Sequence, residues 1–310
     1  MNLEKTKETM FKQGYRFVGK HSAVKICEWC RESLREKGIC YKQKFYGISS
    51  HRCVQMTPVL FNCTQNCLFC WRTMRFTLPG KINWEKPDSI INGCIKEQQK
   101  ILKGFLGNPK TKKTKFYEAM HPNQFAISLA GEPCLYPYLP EMIDLLRKRD
   151  ITSFIVTNGT LPEMIEKLIV KQPTQLYITL PAPSEDVYKK ICNPLFKDGW
   201  ERILKSLSMI RNFNRNVIRL TLVKDFNMFE PEKYSDIIEE AQPMFIECKA
   251  FMSVGGARKR IGIEKMPTHE QIKDFAGKIE ENTSYKIVGD KKDSRVVLLS
   301  KTKNTKISEI

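Results

Sequence analysis

Residues 124–156 read QFAISLAGEPCLYPYLPEMIDLLRKRDITSFIV. The first six, 124–129, are mostly aromatic or aliphatic and short enough for a buried strand. Ala130-Gly131-Glu132-Pro133 ends that run. Leu139, Met142, Ile143 and Leu146 then recur at helical spacing over 139–149, and a second strand follows at 152–156. Strand, helix and strand in that order form a βαβ unit with parallel strands. The unit repeats along the chain. Helix 88–106 precedes it, and helix 161–171 leads on to strand 175–180. Helices 184–191 and 200–213 lead to strand 217–223, helix 232–240 to strand 244–249, and helix 269–282 to strand 295–299. The fold class is therefore α/β. Periodicity leaves a doubly wound sheet and a partial (β/α) barrel both open. In a barrel the chemistry sits at the carboxyl ends of the strands. There the sequence turns polar or glycine-rich, at Ala130–Pro133, Thr157-Asn158-Gly159, Pro181–Ser184 and Val254-Gly255-Gly256. Upstream, residues 21–38 have the pattern of an amphipathic helix, with Ser22 as N-cap and Gly38 as stop. Residues 39–76 read as irregular and cysteine-rich.

The chain has 310 residues, and its 52 Lys and Arg against 34 Asp and Glu leave a formal charge of +18. Residues 1–75 hold 14 Lys/Arg and 5 Asp/Glu, half of that excess. Lys110–Lys115, Arg258–Arg260 and Lys301–Lys306 add basic clusters. Such an excess fits a polyanion, nucleic acid first, although a solvated surface has the same composition. No apolar run is long enough for a membrane span and the start has no secretory core, so a cytoplasmic protein without a membrane partner is expected. In a reducing compartment the 11 cysteines should not form disulfides.

Their spacing is informative. Cys63-Thr-Gln-Asn-Cys67-Leu-Phe-Cys70 places three thiols within eight residues. Three thiolates can hold three irons of a [4Fe–4S] cluster and leave the fourth open. A zinc knuckle or three unconnected thiols is the plainer alternative. Cys27, Cys40 and Cys53 precede this motif with even, wide gaps, and Cys30 completes a Cys27-Glu-Trp-Cys30 pair. On spacing alone, a second cluster on Cys27, Cys40 and Cys53 and a zinc site that includes Cys30 are comparable. Cys94, Cys134, Cys192 and Cys248 read as isolated buried residues.

The C-x3-C-x-aromatic-C motif resembles that of radical S-adenosylmethionine (SAM) enzymes. The resemblance implies a partial (β/α)6-type barrel over 57–310, with residues 1–56 as a cysteine-rich extension. It implies that Phe69 lies near the adenine and that Gly131 and Glu132 meet the methionine amino group. Asn158 would meet the ribose or carboxylate, with Ser128, Thr179 and Ser184 as weaker candidates and Ser184 more plausibly a helix cap. Ala130 departs from the usual glycine, at little cost if its φ is negative.

The longer stretch KICEWC…GICYKQKFYGISSHRCVQMTP…FNCTQNCLFCWR resembles the archaeal tRNA 4-demethylwyosine synthases. That resemblance implies two [4Fe–4S] clusters, with Cys27, Cys40 and Cys53 on the second and Cys30 packed. It implies SAM and pyruvate as small partners and tRNA for phenylalanine as substrate, modified at the N1-methylguanosine beside the anticodon. A deoxyadenosyl radical would take hydrogen from the N-methyl group, and the carbon radical would attack pyruvate, which loses its carboxyl carbon as the third ring closes. The second cluster's open iron would hold pyruvate as a bidentate chelate, and a lysine would instead, or in addition, form a Schiff base with it, Lys42 being the candidate and Lys44 the reserve; phosphate contact is the alternative for both. Trp71, Phe76 and Trp84 are candidates for stacking on the splayed base, and Arg72 and Arg75 for phosphate or base contact. A monomer is expected, and an external one-electron donor too, because the chain carries no flavodoxin-like domain.

Overall fold

The computed structural model describes residues 3–72 and 76–307; Arg75, the expected phosphate or base contact, lies outside them. Two compact units divide the chain. The first comprises Met1–Asn62, Pro79–Ile155 and Ile307–Ile310, and so contains the whole 1–56 extension. The second comprises Cys63–Leu78 and Val156–Lys306.

In the first unit the strands are β1 (Arg16–Val18), β2 (Ser22–Val24), β3 (Cys53–Thr57), β4 (Gln124–Ile127) and β5 (Thr152–Thr157). β3, β4 and β5 are parallel, with Cys53 opposite Gln124 and Gln124 opposite Thr152. β1 and β2 form an antiparallel hairpin added to β3. The crossover from β4 to β5 is helix Leu139–Arg147, which buries Leu139, Met142, Ile143 and Leu146, the residues picked out by their spacing.

In the second unit the strands are β6 (Gln175–Thr179), β7 (Asn216–Leu222), β8 (Phe245–Ala250), β9 (Lys286–Lys291) and β10 (Val296–Ser300). β6, β7 and β8 are parallel. β10 pairs antiparallel with β8, and β9 with β10. The register places Thr179, Arg219 and Glu247 side by side on one face. Tyr177, Thr221 and Lys249 share that face, whereas the opposite face carries Ile178, Ile218, Leu220, Ile246 and Cys248, all buried.

Two expectations are corrected. Residues 21–38 are not one helix. Ser22–Val24 is a fully buried strand, reached through a turn at Gly19 with φ +60°. The helix is only Glu28–Leu34 and its N-cap is Cys27, whose sulfur accepts from the Cys30 amide at 3.3 Å. Nor is 39–76 irregular throughout, since it contains helix Tyr41–Tyr46 and β3. Among the described residues no helix is long and apolar enough to cross a membrane.

Candidate active site

The residues expected at the site lie just beyond the carboxyl ends of parallel strands or at element starts. In the first unit, Gly131 follows β4 with φ +63°. A Cβ there would sit 1.8 Å from the Val59 carbonyl oxygen and 2.5 Å from that of Asn62, both main-chain atoms, so no other residue fits. Ala130 is not among the positive-φ residues, which is why it can replace a glycine. Its carbonyl accepts from Thr57 Oγ1 at 2.6 Å. Glu132 is 2% exposed; its amide donates to Asn62 O at 3.0 Å and its carboxylate accepts from the Cys134 amide at 3.0 Å. The carboxylate is thus aimed by its own turn.

The second cysteine set belongs to the same unit, and each member opens an element. Cys27 is the N-cap of Glu28–Leu34, Cys40 the N-cap of Tyr41–Tyr46, and Cys53 the first residue of β3. Cys40 is held by its amide to Ser50 Oγ at 2.9 Å, and Ser50 in turn donates to Gln43 Oε1. Burial and the neighbouring Cys40 push the Cys27 thiol up to about 12. Burial, then Cys27 and Cys40, push Cys53 well up. The three thiols therefore feel one another, and at neutral pH they become thiolates only if a shared cationic group compensates. Cys30 differs. It is buried with Ile26, Leu34, Leu102 and Phe116, and its sulfur donates to the His51 carbonyl at 3.5 Å. His51 itself is clamped at 2.5 Å to Glu118.

Lys42 is 8% exposed, with its Nζ 4.9 Å from the Phe154 ring centre. Its charge acts on both Cys27 and Cys53. Lys44, on the same helix, is exposed. Position alone separates the two lysines.

In the second unit the Cys63–Cys70 loop is stitched to its surroundings. The Asn66 amide donates to Cys192 O at 3.0 Å, Leu68 N to Ile191 O at 2.8 Å, and Cys63 N to Thr77 O at 3.2 Å. The Asn66 side chain bonds both the N–H and C=O of Phe76. Asn158, just after β5, donates from Nδ2 to Thr64 Oγ1 at 2.8 Å and toward Cys63 Sγ at 3.7 Å. Cys67 hydrogen-bonds Gln65 Oε1 at 3.2 Å, and a bond with Cys192 followed by burial pushes its thiol well up. Burial pushes Cys70 up to about 12. Cys192 is therefore not isolated, as its spacing implied, because helix Glu185–Cys192 ends against the loop.

Among the described residues no three His, Cys, Asp or Glu side chains are arranged to hold a single metal ion. A cluster asks something different, one sulfur on each of several irons. Two sets of three thiols, five of them half-buried and Cys53 buried, with Cys27, Cys53, Cys67 and Cys70 pushed up from the usual thiol range, fit a cationic cluster as donor sets.

Phe69 is half-buried in the loop, and Thr179, at the end of β6, is half-buried beside Arg219. Ser184 occupies an N-cap position, but its side chain makes no capping bond. Phe76 is buried, and Trp84 packs edge-on against His21 and Tyr136 with ring centres 4.8 and 5.8 Å apart, so neither is placed as an open stacking platform. Trp71 lies under the Arg72 guanidinium at 3.8 Å. Burial lowers Arg72 to about 9. The sequence did not announce the pair on the polar face of β7 and β8. There Arg219 Nε and Nη2 bond Glu247 Oε2 at 3.1 and 2.7 Å, and the guanidinium stacks 4.5 Å from Tyr177. Glu247 is fully buried, and such a charge is retained only when paired this closely.

Comparison with known proteins agrees with this geometry. Residues 57–238 match the radical SAM superfamily, and residues 240–301 match the wyosine base formation family. The chain is 49% identical to the S-adenosyl-L-methionine-dependent tRNA 4-demethylwyosine synthase of Pyrococcus horikoshii, over 96% of this chain and 89% of that protein. It is 41% identical to the protein of the same name from Methanocaldococcus jannaschii, over 96% of each. A solved structure of TYW1 with a lysine-pyruvate adduct bound superimposes with a TM-score of 0.89 and 41% identity, covering 98% of this chain and 97% of that one.

Proposed function

The chain belongs to the S-adenosyl-L-methionine-dependent tRNA 4-demethylwyosine synthases, and from that membership we propose how its own residues divide the work. It is a radical SAM enzyme of wyosine base formation, using SAM and an iron–sulfur cluster. The reaction condenses the N1-methylguanosine beside the anticodon of tRNA for phenylalanine with pyruvate to give 4-demethylwyosine. Cys63, Cys67 and Cys70 hold one [4Fe–4S] cluster, and Cys27, Cys40 and Cys53 a second. A cluster held by Cys63, Cys67 and Cys70 would supply, when bound, the one-electron chemistry of reductive SAM cleavage.

The protein's part is orientation. Glu132, fixed by the Cys134 amide, takes the SAM amine, and Gly131 lets that segment pass close to Val59 and Asn62. Asn158 and Thr179 take the ribose and carboxylate, and Phe69 flanks the adenine. The Lys42 amine adds to the pyruvate C2 carbonyl, whose oxygen leaves as water, and so fixes the acceptor carbon. The electron comes from a separate one-electron donor. The observation that carries this assignment is the burial of Lys42 beside Cys27 and Cys53. The lysine-pyruvate adduct in the related TYW1 structure supports it.

The test is an anaerobic product assay with N1-methylated transcript, SAM, pyruvate and dithionite. Carbon label from pyruvate positions two and three should enter the base, and label from position one should not. Label passing instead from the SAM methyl group into the RNA would make the chain a methyltransferase and overturn the proposal.

A further inference from the structure

The segment after β8, Val254-Gly255-Gly256-Ala257-Arg258-Lys259-Arg260, reads in sequence as a glycine turn and a basic cluster facing a polyanion. Arg258, Lys259 and Arg260 are all exposed, but the Arg260 guanidinium turns back onto the cysteine loop. Its Nε donates to the Leu68 carbonyl at 3.0 Å, its Nη1 to that of Arg72 at 3.1 Å, and its Nη2 to that of Cys70. The Gly256 amide donates to the Trp71 carbonyl at 2.7 Å. Four carbonyls of the loop therefore end on one short segment.

The glycines make this approach possible. A Cβ on Gly255, whose φ is +56°, would lie 2.3 Å from Trp71 O, and one on Gly256 would lie 2.0 Å from Arg72 O. The Trp71–Arg72 peptide matters most. Its carbonyl is held by Gly256, and its N–H belongs to the residue two positions after Cys70. Holding one end of a planar peptide fixes the direction of the other. Hydrogen bonds to the sulfurs and nearby charge are two of the factors that set a cluster's reduction potential.

We propose that residues 255–260 clamp the loop from Leu68 to Arg72, with Arg260 as a positioning residue that fixes the peptides flanking Cys70 and places a positive charge beside the cluster. This rests on the assignment of Cys63, Cys67 and Cys70 as the first socket. No contact of Arg260 with substrate is implied.

The test uses the full chain and needs no turnover. In the metal-free Arg260→Ala protein, hydrogen exchange across residues 68–72 should quicken by roughly tenfold or more, with β6, β7 and β8 unchanged. After anaerobic reconstitution, the first cluster of that variant should reduce at a more negative potential, because the added electron loses its neighbouring cation. Arg260→Lys restores the charge but cannot reach all three carbonyls. It should recover the potential in part and leave the exchange fast, and it stands in for Arg260→Ala if that variant fails to fold. Unchanged exchange in the metal-free variant, or an unchanged potential in the loaded one, overturns the clamp. Full cluster retention in Cys63→Ala would instead overturn the socket assignment while the exchange result still reports on the clamp.

Discussion

Replacing Lys42 with alanine is expected to lower ring formation on the order of 10³-fold or more while SAM is still cleaved, as removal of a group that bonds to substrate typically does. Lys42 is buried on a short helix whose N-cap is Cys40, against the Phe154 ring and among the second cysteine set. A phosphate-contacting lysine would be exposed, as Lys44 is. Lys42→Arg separates the two roles. A guanidinium keeps the charge but forms no Schiff base at neutral pH, so it should fail as alanine does. Borohydride added with pyruvate should trap a reduced adduct on the peptide containing Lys42 in the wild-type chain and none in either variant. Turnover by Lys42→Arg near the wild-type rate would reduce Lys42 to an electrostatic role.

The second large effect separates the cysteine sets. Cys63→Ala should abolish both SAM cleavage and ring formation, because it removes one of the three ligands of the socket that the Asn66 and Asn158 contacts hold in shape. Cys40→Ala should spare a measurable part of SAM cleavage yet stop ring formation, because Cys40 belongs to the set beside Lys42. Deoxyadenosine and modified nucleoside are measured in the same reaction. Ring formation surviving in Cys40→Ala would remove the second set from the chemistry.

Much of this was legible in the sequence. Strands β4 to β8 are short apolar runs between helices whose buried faces recur every three or four residues, a pattern strong enough to survive shifts of one or two residues at the ends. The hairpin of β1 and β2 was hidden because its strands are three residues long and because Ser22–Val24 also fits a helical face. The helix beyond it starts on a cysteine thiol, which lies outside the usual N-cap residues. Strand β9 escaped because KIVGDK is lysine-flanked and lacks a regular alternation of buried and exposed residues. At the site, the cysteine motifs and the Gly131-Glu132 turn were visible as local spacing. Cys192 against Cys67, Arg219 on Glu247 and Arg260 on the loop were not, since each joins residues distant in sequence and no local period encodes them. A basic cluster in sequence shows charge but not direction, and the exposed Arg260 guanidinium lies against the Leu68, Cys70 and Arg72 carbonyls.

Six thiols arranged as two separate three-point sockets would take up two clusters per chain. Iron and labile sulfide per chain after anaerobic reconstitution, read with Mössbauer spectra, test it most directly. The wild-type chain should hold about eight irons, and the chains with Cys63, Cys67 and Cys70 or Cys27, Cys40 and Cys53 changed to alanine about four each. About four irons in the wild type, unaltered when Cys27, Cys40 and Cys53 are replaced, would contradict it.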